Sequence, residues 1–209
     1  YWSQLEKYVK EKKNLCLDTK LHSVNEVEKL KKIFSHSDVT ILFLDKNPID
    51  IYWSDQPSYP NSTAFLHDEK YSGCSSLSKI KKMQKILKSN FINYYLLSSL
   101  DSIAWLLNIR GNDIRYTPLL CCYAVIHNEG KISLFIDKDR IEPIINNLKH
   151  LVNFFPIESL QSYFKSINKE KIIGIDEKET SYFFKNICNN IELTTKNFEN
   201  PCLYPKAIK

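Results

Sequence analysis

The sequence is poor in the residues that build phosphate- and metal-binding loops. Only four of its 209 residues are glycine, Gly73, Gly111, Gly130 and Gly174, and no two are close. A P-loop and a GxGxxG dinucleotide turn both need clustered glycines so that backbone can approach phosphate, and neither motif is present. HExxH and GxSxG are also missing. The six cysteines, Cys16, Cys74, Cys121, Cys122, Cys188 and Cys202, form no CxxC. Their spacing fits neither a zinc site nor a small disulfide scaffold. No apolar run approaches the roughly 18 residues of a membrane-spanning helix. The opening YWSQLEKYVKEKK lacks both an initiator Met and the basic, apolar, small-residue order of a signal peptide. We expect a piece of something longer.

What is present describes a globular protein. Hydrophobic residues make up 43% and charged residues 25% of the chain, enough for one or two domains with a sizeable core. The net charge of +5 is mild and falls short of a nucleic-acid-binding stripe. The densest basic run, SKIKKMQKILK, reads as the solvated face of an amphipathic helix, with Ile80, Met83 and Leu87 on its apolar side. Several cysteines sit in apolar text such as PLLCCYAVI, which points to buried thiols in a reducing compartment, the cytoplasm. The expected partners include neither nucleic acid nor membrane.

The pattern alternates strand and helix. NLCLDTKL reads as a strand, and SVNEVEKLKKIF as a helix with Ser23 and Glu26 in capping-box spacing. DVTILFLDK reads as a buried strand. Pro48, Pro57 and Pro60 make the next segment a linker, with a domain boundary near residue 60. Beyond it come a helix over 79–88, the strand NYYLLSSL, the helix DSIAWLLNI and a hairpin around HNEGK, where Gly130 can take positive φ. Then follow the helix RIEPIINNLKHLV with Pro143 in its first turn, the strand NFFPI, the helix ESLQSYFKSI, the strand KIIGID, the helix ETSYFFKNIC and the strand IELTT. The expected class is α/β, a mixed sheet flanked by helices.

No catalytic constellation emerges. The five histidines, His22, His36, His67, His127 and His150, are scattered, and Cys121-Cys122 reads as packing within an apolar strand rather than as a nucleophile. The loop NIRGNDIRYTP stands out. Gly111 allows a tight turn, Arg110 and Arg115 offer guanidinium forks to a carboxylate or phosphate, and Asp113 could orient one of them. Equally, Arg110 and Asp113 could pair with each other or with a neighbouring loop and only hold the turn.

The text LDSIAWLLNIRGNDIRYTPLLCCYAVI, followed by LFIDKDRI, resembles the middle domain of the long, three-domain Xaa-Pro aminopeptidases, the aminopeptidase P family of the creatinase/prolidase group. The matching residues include Asp101, Ile103, Ala104, Trp105, Leu106, Asn108, Arg110, Gly111, Asp113, Ile114 and Pro118, then Leu134 to Asp137. NPIDIYWSDQPSYP, YSGCSSLSKIKKMQ and LYPKAIK resemble further family segments in order. The resemblance implies a creatinase/prolidase N-terminal-like fold. Residues 1–60 would be the end of a first such domain plus linker, and 61–209 a complete second one. A C-terminal pita-bread catalytic domain, with two divalent metal ions (manganese), would begin after Lys209. No catalytic or metal residue is assigned in this chain. Arg110, Asn112, Asp113 and Arg115 become candidates for a substrate-facing or interdomain loop. The implied partners are that catalytic domain, a second copy in a homodimer, and a peptide substrate. The competing reading is a stand-alone binding module of the same fold, without peptidase activity.

Overall fold

The computed structural model describes residues 2–9 and 14–208, which divide into two compact units: residues 1–58 with 177–186, and residues 59–176 with 187–209.

In the first unit, helix α1 (Trp2–Val9) precedes β1 (Asn14–Leu17), α2 (Val24–Phe34) and β2 (Thr40–Phe43). β1 and β2 pair in parallel, giving the expected βαβ piece. α2 starts where the capping box predicts: Ser23 Oγ accepts from Glu26 N, and the Glu26 carboxylate accepts from Ser23 N. Its apolar stripe of Val24, Val27, Leu30 and Phe34 is buried. β2 differs from expectation. Its apolar text predicts a buried strand, but Leu42 and Phe43 are 42% and 37% exposed. Among the described residues β1 is its one strand partner, so an edge and much of a face stay open. The expected linker also contains a short helix, α3 (Pro48–Tyr52). Pro48 sits in the first turn, where its missing N–H costs nothing, and Asn47 caps the helix by accepting from Ile49 N.

The second unit opens with β3 (Phe65–Leu66), α4 (Glu69–Ser72), α5 (Ser76–Ser89), β4 (Tyr94–Leu97), α6 (Leu100–Leu107) and β5 (Ile109–Arg110). The hairpin β6 (Tyr123–His127) and β7 (Ile132–Phe135) follows, with Gly130 at φ +83° in its turn. Cys121 and Cys122 lie just ahead of β6, not inside a strand; Cys122 is buried and Cys121 half-buried. The helix expected around Pro143 is broken into α7 (Lys138–Ile141), a 3-10 turn (Glu142–Ile144) and α8 (Ile145–Leu148). Pro143 falls in the middle of that run, where it has no N–H to donate and its ring opposes a continuous α-helix. β8 (Val152–Phe155), a 3-10 turn (Ile157–Ser159), α9 (Leu160–Lys165), β9 (Ile172–Ile175), α10 (Tyr182–Asn190, shared between the units), β10 (Thr194–Asn197) and α11 (Leu203–Ala207) complete the chain.

Six strands form one mixed sheet in the order β10-β9-β4-β6-β7-β8. β4 runs parallel to β9 and antiparallel to β6; β7 runs parallel to β8. This is the expected mixed sheet with helices. On it, Met83 and Leu87 of α5 and Leu106 and Leu107 of α6 pack with Ala124, Ile126, Ile132 and Leu134, all inaccessible to solvent. Burying one such Leu or Ile side chain contributes roughly 1.5–3 kcal/mol. This packed core is the platform that carries the loop after α6.

Candidate functional site

α6 is apolar on nearly every side, with Ile103, Ala104, Leu106 and Leu107 buried, and its two ends take polar partners from neighbouring segments. At the start, Asp101 accepts from Ser102 N (2.9 Å) and from the Ser99 hydroxyl (2.7 Å). Lys206 of α11 donates to Asp101 (2.6 Å) and to Ser102 Oγ (2.8 Å). Burial opposes ionisation of Asp101, but the bonds from Lys206 and Ser99 outweigh it and hold the carboxyl below its usual range.

At the other end Asn108 adopts the left-handed conformation (φ +51°), which Asn tolerates better than most residues, and stops the helix. Two cations then meet the last carbonyls. Arg110 Nη1 donates to Ala104 O (2.8 Å) and Ile109 O (2.9 Å). Lys79 Nζ donates to Trp105 O (2.9 Å) and Asn108 Oδ1 (2.7 Å), and lies 4.9 Å from the centre of the Trp105 ring. Asn108 in turn donates to Cys74 O (2.9 Å). Positive charge is favoured at this end of a helix dipole. Lys79 is only 3% exposed, a departure from the expected solvated lysine face. Burial, reinforced by Arg110, lowers its pKa despite opposing effects from Cys74 and Glu69.

The loop is held by a different group. Asp113 accepts from Ser62 N (3.0 Å), Ser62 Oγ (2.7 Å) and Cys121 N (2.6 Å), and forms an ion pair with Arg140 of α7. Arg140 also donates to Ser62 O (3.2 Å) and Cys121 O (3.1 Å). Burial works against the Asp113 carboxylate, yet the bonds from Ser62 and Cys121 and the charge of Arg140 lower its pKa. Gly111 lets the loop pack close on Leu120: a Cβ would lie 2.2 Å from Leu120 Cδ2 unless that side chain shifted.

Of the four residues singled out from sequence, Arg110 and Asp113 do not pair with each other; one caps a helix and the other pins the loop to Ser62, Cys121 and Arg140. Asn112 is exposed, with its N–H bound to Ser62 Oγ (2.8 Å). Arg115 is exposed and lies 4.9 Å from the centre of the Tyr116 ring. Tyr116 is 90% exposed and takes a left-handed backbone (φ +64°) at the loop tip. Sequence reasoning missed Ser62, Lys79 and Arg140. For Lys79 a signal existed: it lies four residues before Met83, hence on the same helical face.

The model of the Creatinase/Prolidase N-terminal domain matches residues 55–209, which takes in every residue of this site. The chain belongs to that family. Curated relatives of this creatinase/prolidase N-terminal region include a probable Xaa-Pro aminopeptidase P of Laccaria bicolor, 32% identical over 164 residues, and Xaa-Pro aminopeptidase 1 of Dictyostelium discoideum, 30% identical over 203 residues. These alignments cover 78% and 92% of this chain but 25% and 32% of the relatives, so the chain spans about a quarter to a third of their length. The X-prolyl aminopeptidase of Caenorhabditis elegans, described as a cytosolic enzyme with a di-nuclear active site, shares the fold: TM-score 0.82 at 21% identity, over 93% of this chain and 34% of that one. No group of three or more His, Cys, Asp or Glu suited to a metal ion occurs among the described residues. No helix among them is long and apolar enough to cross a membrane.

Proposed function

We propose that this chain is the non-catalytic front of a cytoplasmic Xaa-Pro aminopeptidase, an enzyme that releases the N-terminal residue from peptides with Pro in second position. The reading divides it into the end of a first creatinase-like domain with its linker (1–60) and a second such domain (61–209). It is supported by the family match over 55–209 together with relatives of that name about three times as long. Two divalent metal ions, manganese in this reading, would sit in a separate pita-bread catalytic domain.

The second unit then acts as a rigid wall. The exposed tip of Asn112, Ile114, Arg115 and Tyr116 is the part of the loop available to the catalytic domain, to substrate, or to a second copy in a homodimer. Asp113 and the carbonyl-capping side of Arg110 hold that tip in place. The test is to incubate the full-length protein with an Xaa-Pro-containing peptide, with and without divalent metal. Metal-dependent loss of one N-terminal residue supports the reading; cleavage elsewhere, or none under any metal, removes it.

A further inference from the structure

The chain has three arginines, and they are treated differently. Arg140 is buried against Asp113, and Arg115 is exposed over Tyr116. Arg110 is half-buried, and no carboxylate among the described residues lies within ion-pair range of it or of Lys79 beside it. Both cations use neutral acceptors at the end of α6. The dipole there amounts to about half a negative charge, which does not balance two positive ones. The acids of the adjoining segment, Asp68 and Glu69, are exposed, and Asp68 pairs with Lys70 (3.5 Å). The imbalance is felt nearby: burial, then Arg110 and Lys79, push the His67 imidazole down.

Arg110 spends Nη1 on carbonyls, while Nε and Nη2 have no hydrogen-bond partner among the described residues. Those two atoms form one edge of a planar fork, which matches the two oxygens of a carboxylate. Phe65 stands directly opposite Arg110 in the β3–β5 pair. Opposed residues share a face of an antiparallel ladder, so Phe65, 44% exposed, stands on the same face as Arg110.

We infer that Arg110 and Phe65 form a subsite for the C-terminal residue of a peptide, with its free carboxylate on the Arg110 fork and its side chain against Phe65. The peptide rests on the function proposed above; the carboxylate chemistry does not. The test uses full-length protein and an Xaa-Pro-Phe tripeptide as free acid and as C-terminal amide. The acid should be preferred in kcat/KM by about tenfold, as for a charge-assisted hydrogen bond. Arg110→Gln should bring that ratio close to one, Arg110→Lys should keep part of it, and Lys82→Gln on the exposed side of α5 should not change it. Loss of the helix cap alone would depress both peptides equally and leave the ratio intact, which overturns the inference. So does equal use of acid and amide by the native protein, the result expected if another part of the protein supplies the carboxylate. Calorimetric titration with Pro-Phe acid and Pro-Phe amide reads the same preference without catalysis. If no Xaa-Pro cleavage occurs, the proposed function fails while this titration still decides the subsite. If Arg110→Gln does not fold, Arg110→Lys with both titrations decides it.

Discussion

Asp113 and Arg140 form an ion pair whose side chains are 0% and 4% exposed, and both bond to Ser62 and to Cys121, which ties the segment before β3 and the start of α7 to the loop after α6. A buried pair of this kind is weak evidence for net stability, because desolvation offsets much of the attraction. Breaking it is another matter. Asp113→Ala leaves Arg140 buried without a counter-charge and should destabilise the protein by about 3–5 kcal/mol. Replacing both, as Asp113→Leu with Arg140→Met, should cost clearly less than the sum of the single changes. Urea denaturation of the four proteins measures the coupling.

Gly111→Ala should cost about 1–3 kcal/mol, because its Cβ would collide with Leu120 at 2.2 and 2.5 Å. Trimming the obstacle with Leu120→Ala should make the glycine substitution nearly free. If the two costs simply add, steric contact with Leu120 is not what demands glycine.

Much of this region is legible in sequence, and the limits have a physical cause. DSIAWLLNI reads as a helix because an apolar run follows Asp101, and HNEGK reads as a turn because Gly130 can take positive φ. These are local properties. That Asp113 would choose Arg140 rather than Arg110 depends on β6, β7 and α7 folding back to bring together residues 27 positions apart. Arg140 itself hides in the charged text DKDRI, which says nothing of burial. Lys79 hides in a run of lysines, although its i, i+4 relation to Met83 marks its face. The openness of β2 has no local signal, since the number of neighbouring strands is a tertiary property.

Stability should fall as pH drops from about 7 to 5. Burial lowers the pKa of His127, whose Nε2 lies 2.7 Å from the Tyr163 hydroxyl and 3.0 Å from Ser133 Oγ. With the folded value below the ordinary one near 6.5, the unfolded chain binds the proton first. The stabilisation is present above the unfolded value and lost as pH falls through the folded one. His67 shifts in the same direction, through burial, Arg110 and Lys79. Urea midpoints should therefore decline over this range in the native protein and much less in the His67→Gln, His127→Gln double variant. The depressed carboxyl of Asp113 adds a separate loss at lower pH, below about 4, where carboxylates titrate.

Thiol reactivity should sort by environment. Cys16 is exposed, whereas burial pushes the Cys122 thiol up to about 12. The thiolate is the reactive form, so a disulfide reagent at pH 8 should label Cys16 in seconds to minutes and Cys122 only after denaturation. Peptide mapping identifies the labelled residue, and early labelling of Cys122 would show that the segment leading into β6 opens in the native state.

The most direct measurement sets the full-length protein beside residues 1–209 in one assay of Xaa-Pro peptide cleavage with added Mn²⁺. Release of the N-terminal residue by the full-length protein and none by the isolated chain is the expected result. Cleavage by residues 1–209 alone would contradict the assignment of this chain to the non-catalytic front of the enzyme.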